Sequence, residues 1–317
     1  MAEYLATCIT GFEKICAGLL QKDLSDVRVR DTMSGLLRFR TSESRRRLKE
    51  LLYLNNVYFV MKAYERECPF EEMVSGSKKG ALAPLIRKGT FRVRFSDANR
   101  FVSVPKSIIS EAERQVMSRS GLVPDRVTPQ TEIWYIRRTE GIGFYAQLLW
   151  KRRITEKNLP QGQLRPEMAH LLCRMVDLPA ESTVLDPFAG FGSIPEQLRA
   201  LGLTVYASDL DPEKAVLSQG RVCDARNLTF LDQEVLDAII TDPPWGIFEK
   251  IEDIAAFYAS CLKEWRRVLK PSGYVIALTA AKQEWEEAAR KERFRLINKI
   301  DTLVNGKKAA VFVLKKD

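Results

Sequence analysis

The chain has 317 residues, 45% hydrophobic and 29% charged, which suits two buried cores, or three small ones, and excludes a disordered or fibrous polymer. Its net charge of +9 calls for an acidic partner or a strongly solvated surface. One histidine, His170, and six cysteines (Cys8, Cys16, Cys68, Cys173, Cys223 and Cys261) with no CxxC pair make a zinc site or a disulfide framework a poor fit and suit a reducing cytosol.

The front half carries most of the charge. Residues 1–160 hold 29 Lys/Arg against 18 Asp/Glu, a net of +11, whereas 161–317 hold 21 against 23, a net of −2. That asymmetry is the pattern of a nucleic-acid-binding module joined to a second domain. In chain order, residues 4–10 read as a strand and 11–22 as a helix with Phe12, Ile15, Cys16, Leu19 and Leu20 on one face. Residues 26–40 read as a hairpin turning at Ser34-Gly35, and 43–54 as a basic helix, which makes a small α+β unit over 1–60. Ser75 to Gly80 reads as a loop; a strand at 90–95, a helix at 107–119 and a hairpin at 131–149 turning at Glu140-Gly141 make a second α+β unit over 61–150. Apolar and Arg positions alternate at 27–30, 37–40 and 91–95, the period of half-buried strands with one guanidinium face. Arg92, Arg94 and the run Lys151-Arg152-Arg153 are candidate phosphate contacts, and 151–162 reads as a linker.

From 163 onward strands and helices alternate: strands at 183–187, 203–208, 235–241 and 273–279, helices at 192–201, 212–220, 252–269 and 282–291. This predicts a doubly wound, mostly parallel sheet. Strands at 295–304 and 308–315 flank Asn305-Gly306, so the sheet ends in an antiparallel hairpin. The N-terminal stretch has no basic lead and is interrupted by Glu13 and Lys14, and no apolar run approaches the roughly 18 residues of a membrane span, so a soluble, cytoplasmic protein without signal peptide or membrane partner is expected.

Four strand-end turns carry the chemistry. Asp186-Pro187-Phe188-Ala189-Gly190-Phe191-Gly192-Ser193 joins a strand to a helix, where glycines permit close backbone approach and the helix start supplies free N–H donors. G-x-G-x-x-G is incomplete there, which disfavours a dinucleotide, and Asp186 suits a positively charged ligand. Asp209-Leu210 ends the next strand, where a carboxylate can accept both hydroxyls of a ribose, while Asp211 before Pro212 reads as a helix cap. Asp224-Ala225 could set a carboxylate beside an adenine amino group. The most specific is Asp242-Pro243-Pro244-Trp245: paired prolines stiffen the loop, so a base amine can donate to Asp242 and to the Pro243 carbonyl while its ring stacks on Trp245.

On these motifs, residues 163–317 resemble a class I S-adenosylmethionine-dependent methyltransferase of the amino-methylating group. Gln163 to Ala169, ahead of the DPFAGFGS loop, is similar to the lead-in helix of the THUMP-containing RNA (guanine-N2-)-methyltransferases. Residues 4–20 and 91–147 are similar to that family's opening segment and THUMP core. The resemblance implies a Rossmann-like domain with a seven-stranded sheet, preceded by ferredoxin-like and THUMP units that bind RNA. It implies methylation of guanosine N2 in tRNA, with Asp186, Pro187, Phe188, Gly190, Gly192 and Ser193 around the methionine part of S-adenosylmethionine. Asp209 and Leu210 would take its ribose, Asp224 and Ala225 its adenine, and Asp242, Pro243, Pro244 and Trp245 the acceptor. The chain departs from the family at Ala189 and Phe191, where Cys and Ser are usual, and at Trp245, where Tyr or Phe is commoner. Open alternatives are a DNA or rRNA amino-methyltransferase acting on adenine N6 or cytosine N4, and a non-catalytic RNA-binding protein on the same fold. The oligomeric state is left open.

Overall fold

The computed structural model describes residues 1–152, 159–160, 162–247 and 251–317. Its contacts divide the chain into two units, Met1–Cys8 with Glu13–Arg153, and Ile9–Phe12 with Ile154–Asp317.

The front unit is one nine-stranded sheet with helices: β1 (Ala2–Thr7), α1 (Glu13–Asp23), β2 (Arg28–Met33), β3 (Leu36–Thr41), α2 (Arg45–Glu50), β4 (Asn56–Tyr64), α3 (Phe70–Gly76), β5 (Lys88–Asp97), β6 (Arg100–Phe101), α4 (Lys106–Arg119), β7 (Gly121–Pro124), β8 (Thr131–Arg137) and β9 (Gly143–Lys151). The strands lie in the order β2-β3-β1-β4-β9-β8-β5-β6, with β7 on β5. Segments 1–60 and 61–150 thus share one sheet. Gly35 and Gly141 take positive φ at the two expected hairpin turns, where a side chain would be strained.

Three expectations for this unit need correction. The basic helix is only Arg45–Glu50, because after the Leu51 cap the chain turns towards β4. The start of the expected loop at Ser75-Gly76 belongs to the end of α3. The Arg-bearing strand faces are also not uniformly presented. Arg28 and Arg30 are exposed, but Arg38 is 7% exposed and bonded to Glu3, Asp31 and Glu65. A desolvated guanidinium is tolerable only with such partners.

The rear unit holds α5 (Pro166–Cys173), β10 (Thr183–Asp186), α6 (Ser193–Ala200), β11 (Thr204–Asp209), α7 (Pro212–Leu217), β12 (Arg221–Val222), β13 (Leu236–Thr241), α8 (Ile254–Val268), β14 (Leu269–Thr279), α9 (Lys282–Lys291), β15 (Phe294–Val304) and β16 (Lys307–Lys316). The seven strands run β12-β11-β10-β13-β14-β16-β15. The first five are parallel neighbours, and β16 is antiparallel to both β14 and β15. Asn305 and Gly306 both take positive φ at the closing turn, as its two-residue geometry requires. Buried Trp265, Trp285, Tyr258 and Phe312 form an aromatic core; Tyr258 meets Trp285 edge-on at 4.9 Å, a contact contributing about 0.5–1.5 kcal/mol beyond area burial. Strand order reverses between β10 and β13, so the crevice beyond their carboxyl ends is where such a sheet takes a ligand. No described helix is long and apolar enough to cross a membrane.

Candidate functional site

A cavity of about 1110 Å³ opens in the rear unit over that switch point. Asp186 ends β10 and is 1% exposed; its Oδ1 accepts from Thr241 Oγ1 at 2.7 Å and from the Phe188 amide at 3.2 Å. Burial pushes its carboxyl up to about 7 despite those bonds, and the nearby Asp242 and Asp209 charges push the same way. Asp186 and Ser193 line a small annex of about 40 Å³, which Phe188, Gly190 and Asp242 share with the main cavity.

The loop after β10 owes its shape to two glycines. Gly190 has φ +50, and its amide donates to Asp209 Oδ2 at 2.9 Å. Gly192 has φ +82 and caps α6, and a Cβ there would lie 3.1 Å from Ser218 Cα. Asp209 also accepts the Asp211 amide at 3.0 Å, so one carboxylate fixes both turns. Asp211 caps α7 by accepting from Glu213 and Lys214, as its place before Pro212 predicts. Leu210, 65% exposed, offers an apolar side chain to the cavity.

Asp224 and Ala225 line the same cavity beyond β12. Arg226, which sequence reasoning passed over, grips the Asp224 carboxylate at 2.7 Å and lies 5.6 Å over the Phe257 ring. That guanidinium holds the Asp224 carboxyl below its ordinary range. The only advance sign was the pair's spacing of two residues.

Asp242 follows β13, half-buried in the cavity wall. The surrounding chain strips its hydration and pushes its carboxyl up to about 7, while a hydrogen bond from Trp245 Nε1 at 2.8 Å pulls the other way. Pro244 and Trp245 line the cavity too, and the Tyr258 hydroxyl holds the Pro244 carbonyl at 2.6 Å. Pro243 is buried, and Gly192 and Pro243 shape the loops without lining the main cavity. Two further contributors, Thr241 and Tyr258, had no signature, since a Thr in a strand and a Tyr in a helix face read as ordinary core.

The basic candidates belong to the front unit. Arg92 and Arg94 sit on β5 and both pair with Glu132 on β8, and Arg94 lies 5.2 Å over the exposed Phe101 ring. Lys151 is exposed at the end of β9, and Arg152 donates to the carbonyls of Leu51 and Leu54. Arg153 lies outside the described residues.

The family described as RMKL-like, methyltransferase domain matches residues 212–308. The tRNA (guanine(6)-N2)-methyltransferase of Thermus thermophilus is 36% identical over 135 residues, 38% of this chain and 40% of that protein. The tRNA (guanine(10)-N2)-dimethyltransferase of Methanothermobacter thermautotrophicus is 32% identical over 98 residues, 27% and 29% of the two chains. The chain thus spans well under half the length of these curated relatives in sequence. The crystal structure of TrmN from Thermus thermophilus superposes with a TM-score of 0.79 at 24% identity, covering 100% of both chains, which shows a common fold. Residues 212–308 match the RMKL-like methyltransferase domain family, within a chain that shares the fold of the Thermus thermophilus TrmN structure along its length.

Proposed function

We propose that this protein transfers a methyl group from S-adenosylmethionine to the exocyclic N2 amine of a guanosine in tRNA. The observation that carries the reading is a pair of carboxylates, Asp186 and Asp242, at the ends of adjacent parallel strands. Among the described residues neither has a cationic partner, and burial pushes both up to about 7. A cationic ligand would relieve that penalty, and a cavity of about 1110 Å³ has room for a nucleoside-sized one beside a base. When bound, S-adenosylmethionine supplies an activated methyl group, so the protein's task is alignment.

On this reading the Asp186–Ser193 loop receives the methionine part. Asp209, already fixed by two amides, receives the ribose with Leu210 against it, and Asp224 and Ala225 border the adenine. The sequence similarity to the two guanine-N2 enzymes supports guanine as the target. Asp242 takes one hydrogen of the acceptor amine, which draws its lone pair away from the ring, while Pro243, outside the cavity lining, stiffens the loop. A base inside a duplex cannot reach such a pocket, so the target nucleotide is flipped or unpaired. The front unit, ferredoxin-like over 1–60 and THUMP-like over 61–150, docks the RNA through exposed cations such as Arg28, Arg30, Arg46 and Lys151. The enzyme acts in the cytoplasm, where its thiols stay reduced.

The test is transfer of labelled methyl from S-adenosylmethionine into unmodified tRNA, with duplex DNA as competitor. Label in tRNA that DNA does not suppress is expected. Label in DNA alone would reject the RNA assignment.

A further inference from the structure

Trp245 does more than face the cavity. Its indole N–H donates to Asp242 Oδ1 at 2.8 Å and is shared with the Leu278 carbonyl at 3.2 Å. Leu278 lies in β14, beside β13, so the ring is fastened to the sheet as well as to the carboxylate. Among the described residues no other donor reaches Asp242, which leaves Oδ2 as its uncommitted acceptor. Phe at this position would keep an aromatic wall but has no donor, and the Tyr hydroxyl projects from the far end of its ring. The backbone that carries the pair is held as well, through the Tyr258 hydroxyl on the Pro244 carbonyl and on Thr279 at 3.0 Å.

We propose that Trp245 is a positioning residue: its N–H ties down one oxygen of Asp242 so that the other is presented, at fixed orientation, to one hydrogen of the acceptor amine. This rests on the amine-methylating reading of the cavity. It assigns the departure from Tyr or Phe at this position a function distinct from stacking. A carboxylate free to rotate would lose alignment, and the hydrogen bond favours its ionised, accepting form.

Two measurements test it. In Trp245→Phe, kcat should fall roughly tenfold, as for loss of one charge-assisted hydrogen bond, with KM for RNA changed less than twofold. The acid limb of its pH–rate profile should move to higher pH. An unchanged profile and kcat, or a loss confined to KM, would overturn the proposal in favour of stacking alone. The second measurement needs neither activity nor the variant's stability. In the nitrogen-15 spectrum of the wild-type protein, one of the five Trp indole N–H signals should titrate near pH 7 and cease to do so in Asp242→Asn. If none titrates, the pairing is absent and the proposal fails. If one titrates but the wild-type protein methylates no RNA amine, the functional reading fails and with it the positioning role, while the Trp245–Asp242 pair stands.

Discussion

Thr241 Oγ1 donates to Asp186 Oδ1 at 2.7 Å, joining the ends of β13 and β10 at the floor of the crevice. Both residues are buried, so this bond is made away from water and links the loop that begins at Asp186 to the loop that begins at Asp242. In Thr241→Val the shape is kept and the donor lost. Denaturant unfolding should show a loss of about 0.5–1.5 kcal/mol, the net worth of one hydrogen bond, since the Phe188 amide still donates to the same oxygen. Calorimetry should show weaker binding of S-adenosylmethionine. Wild-type values for both would remove Thr241 from the site.

The two raised carboxyls set opposite pH trends for stability and for binding. Asp186 and Asp242 have folded values of about 7 against an ordinary 3.8, so the folded state holds these protons more tightly. Their contribution to stability is complete below about pH 4 and is lost as pH rises through 7. A cationic ligand needs them ionised, so affinity for S-adenosylmethionine should rise from pH 6 to pH 8, with proton release on binding near pH 7. Calorimetry in two buffers of different ionisation enthalpy measures that release; affinity flat across the range would contradict the charge assignment.

The glycines of the first loop should be unequal. A Cβ at Gly190 would meet only the Phe188 carbonyl oxygen, at an ordinary 3.9 Å, and has only the positive φ against it, about 1–2 kcal/mol. At Gly192 the same backbone strain adds to a 3.1 Å approach to Ser218 Cα, which belongs to the backbone. Thermal unfolding should therefore place Gly192→Ala below Gly190→Ala. The reverse order would mean that the turn relaxes freely.

Asp209→Ala removes the acceptor for two amides, Gly190 and Asp211, as well as the proposed ribose contact. Binding of S-adenosylmethionine should weaken at least tenfold, with a modest drop in melting temperature. If melting falls while affinity holds, Asp209 is only a loop fastener.

The rear unit was legible because each of its signals is local. Asp186, Asp209 and Asp242 each follow a short apolar run and precede Pro, Leu-Asp-Pro or Pro-Pro, and Asn305-Gly306 names its own turn. In the front unit β4 carries no such local signal. It lies between β1 and β9 and is buried along most of its length, so the alternation that marks an edge or half-exposed strand is missing from Val57-Tyr58-Phe59-Val60-Met61. Ion pairing was equally hidden. Period two predicts which face Arg38, Arg92 and Arg94 occupy, but Glu3, Glu65 and Glu132 come from other strands or turns, and only the fold brings them there. The residue order of the Asp242 loop points to a grip for a base, yet the donor role of Trp245 depends on ring orientation, which no spacing encodes.

On the proposed reading, Asp242 grips an RNA amine for methylation. The most direct test is nucleoside mass spectrometry of unmodified tRNA incubated with S-adenosylmethionine and either the wild-type protein or Asp242→Ala. N2-methylguanosine is expected with the wild type and at least about a hundredfold less with the variant, tRNA affinity being retained. N6-methyladenosine in its place, or equal product from both proteins, would contradict it.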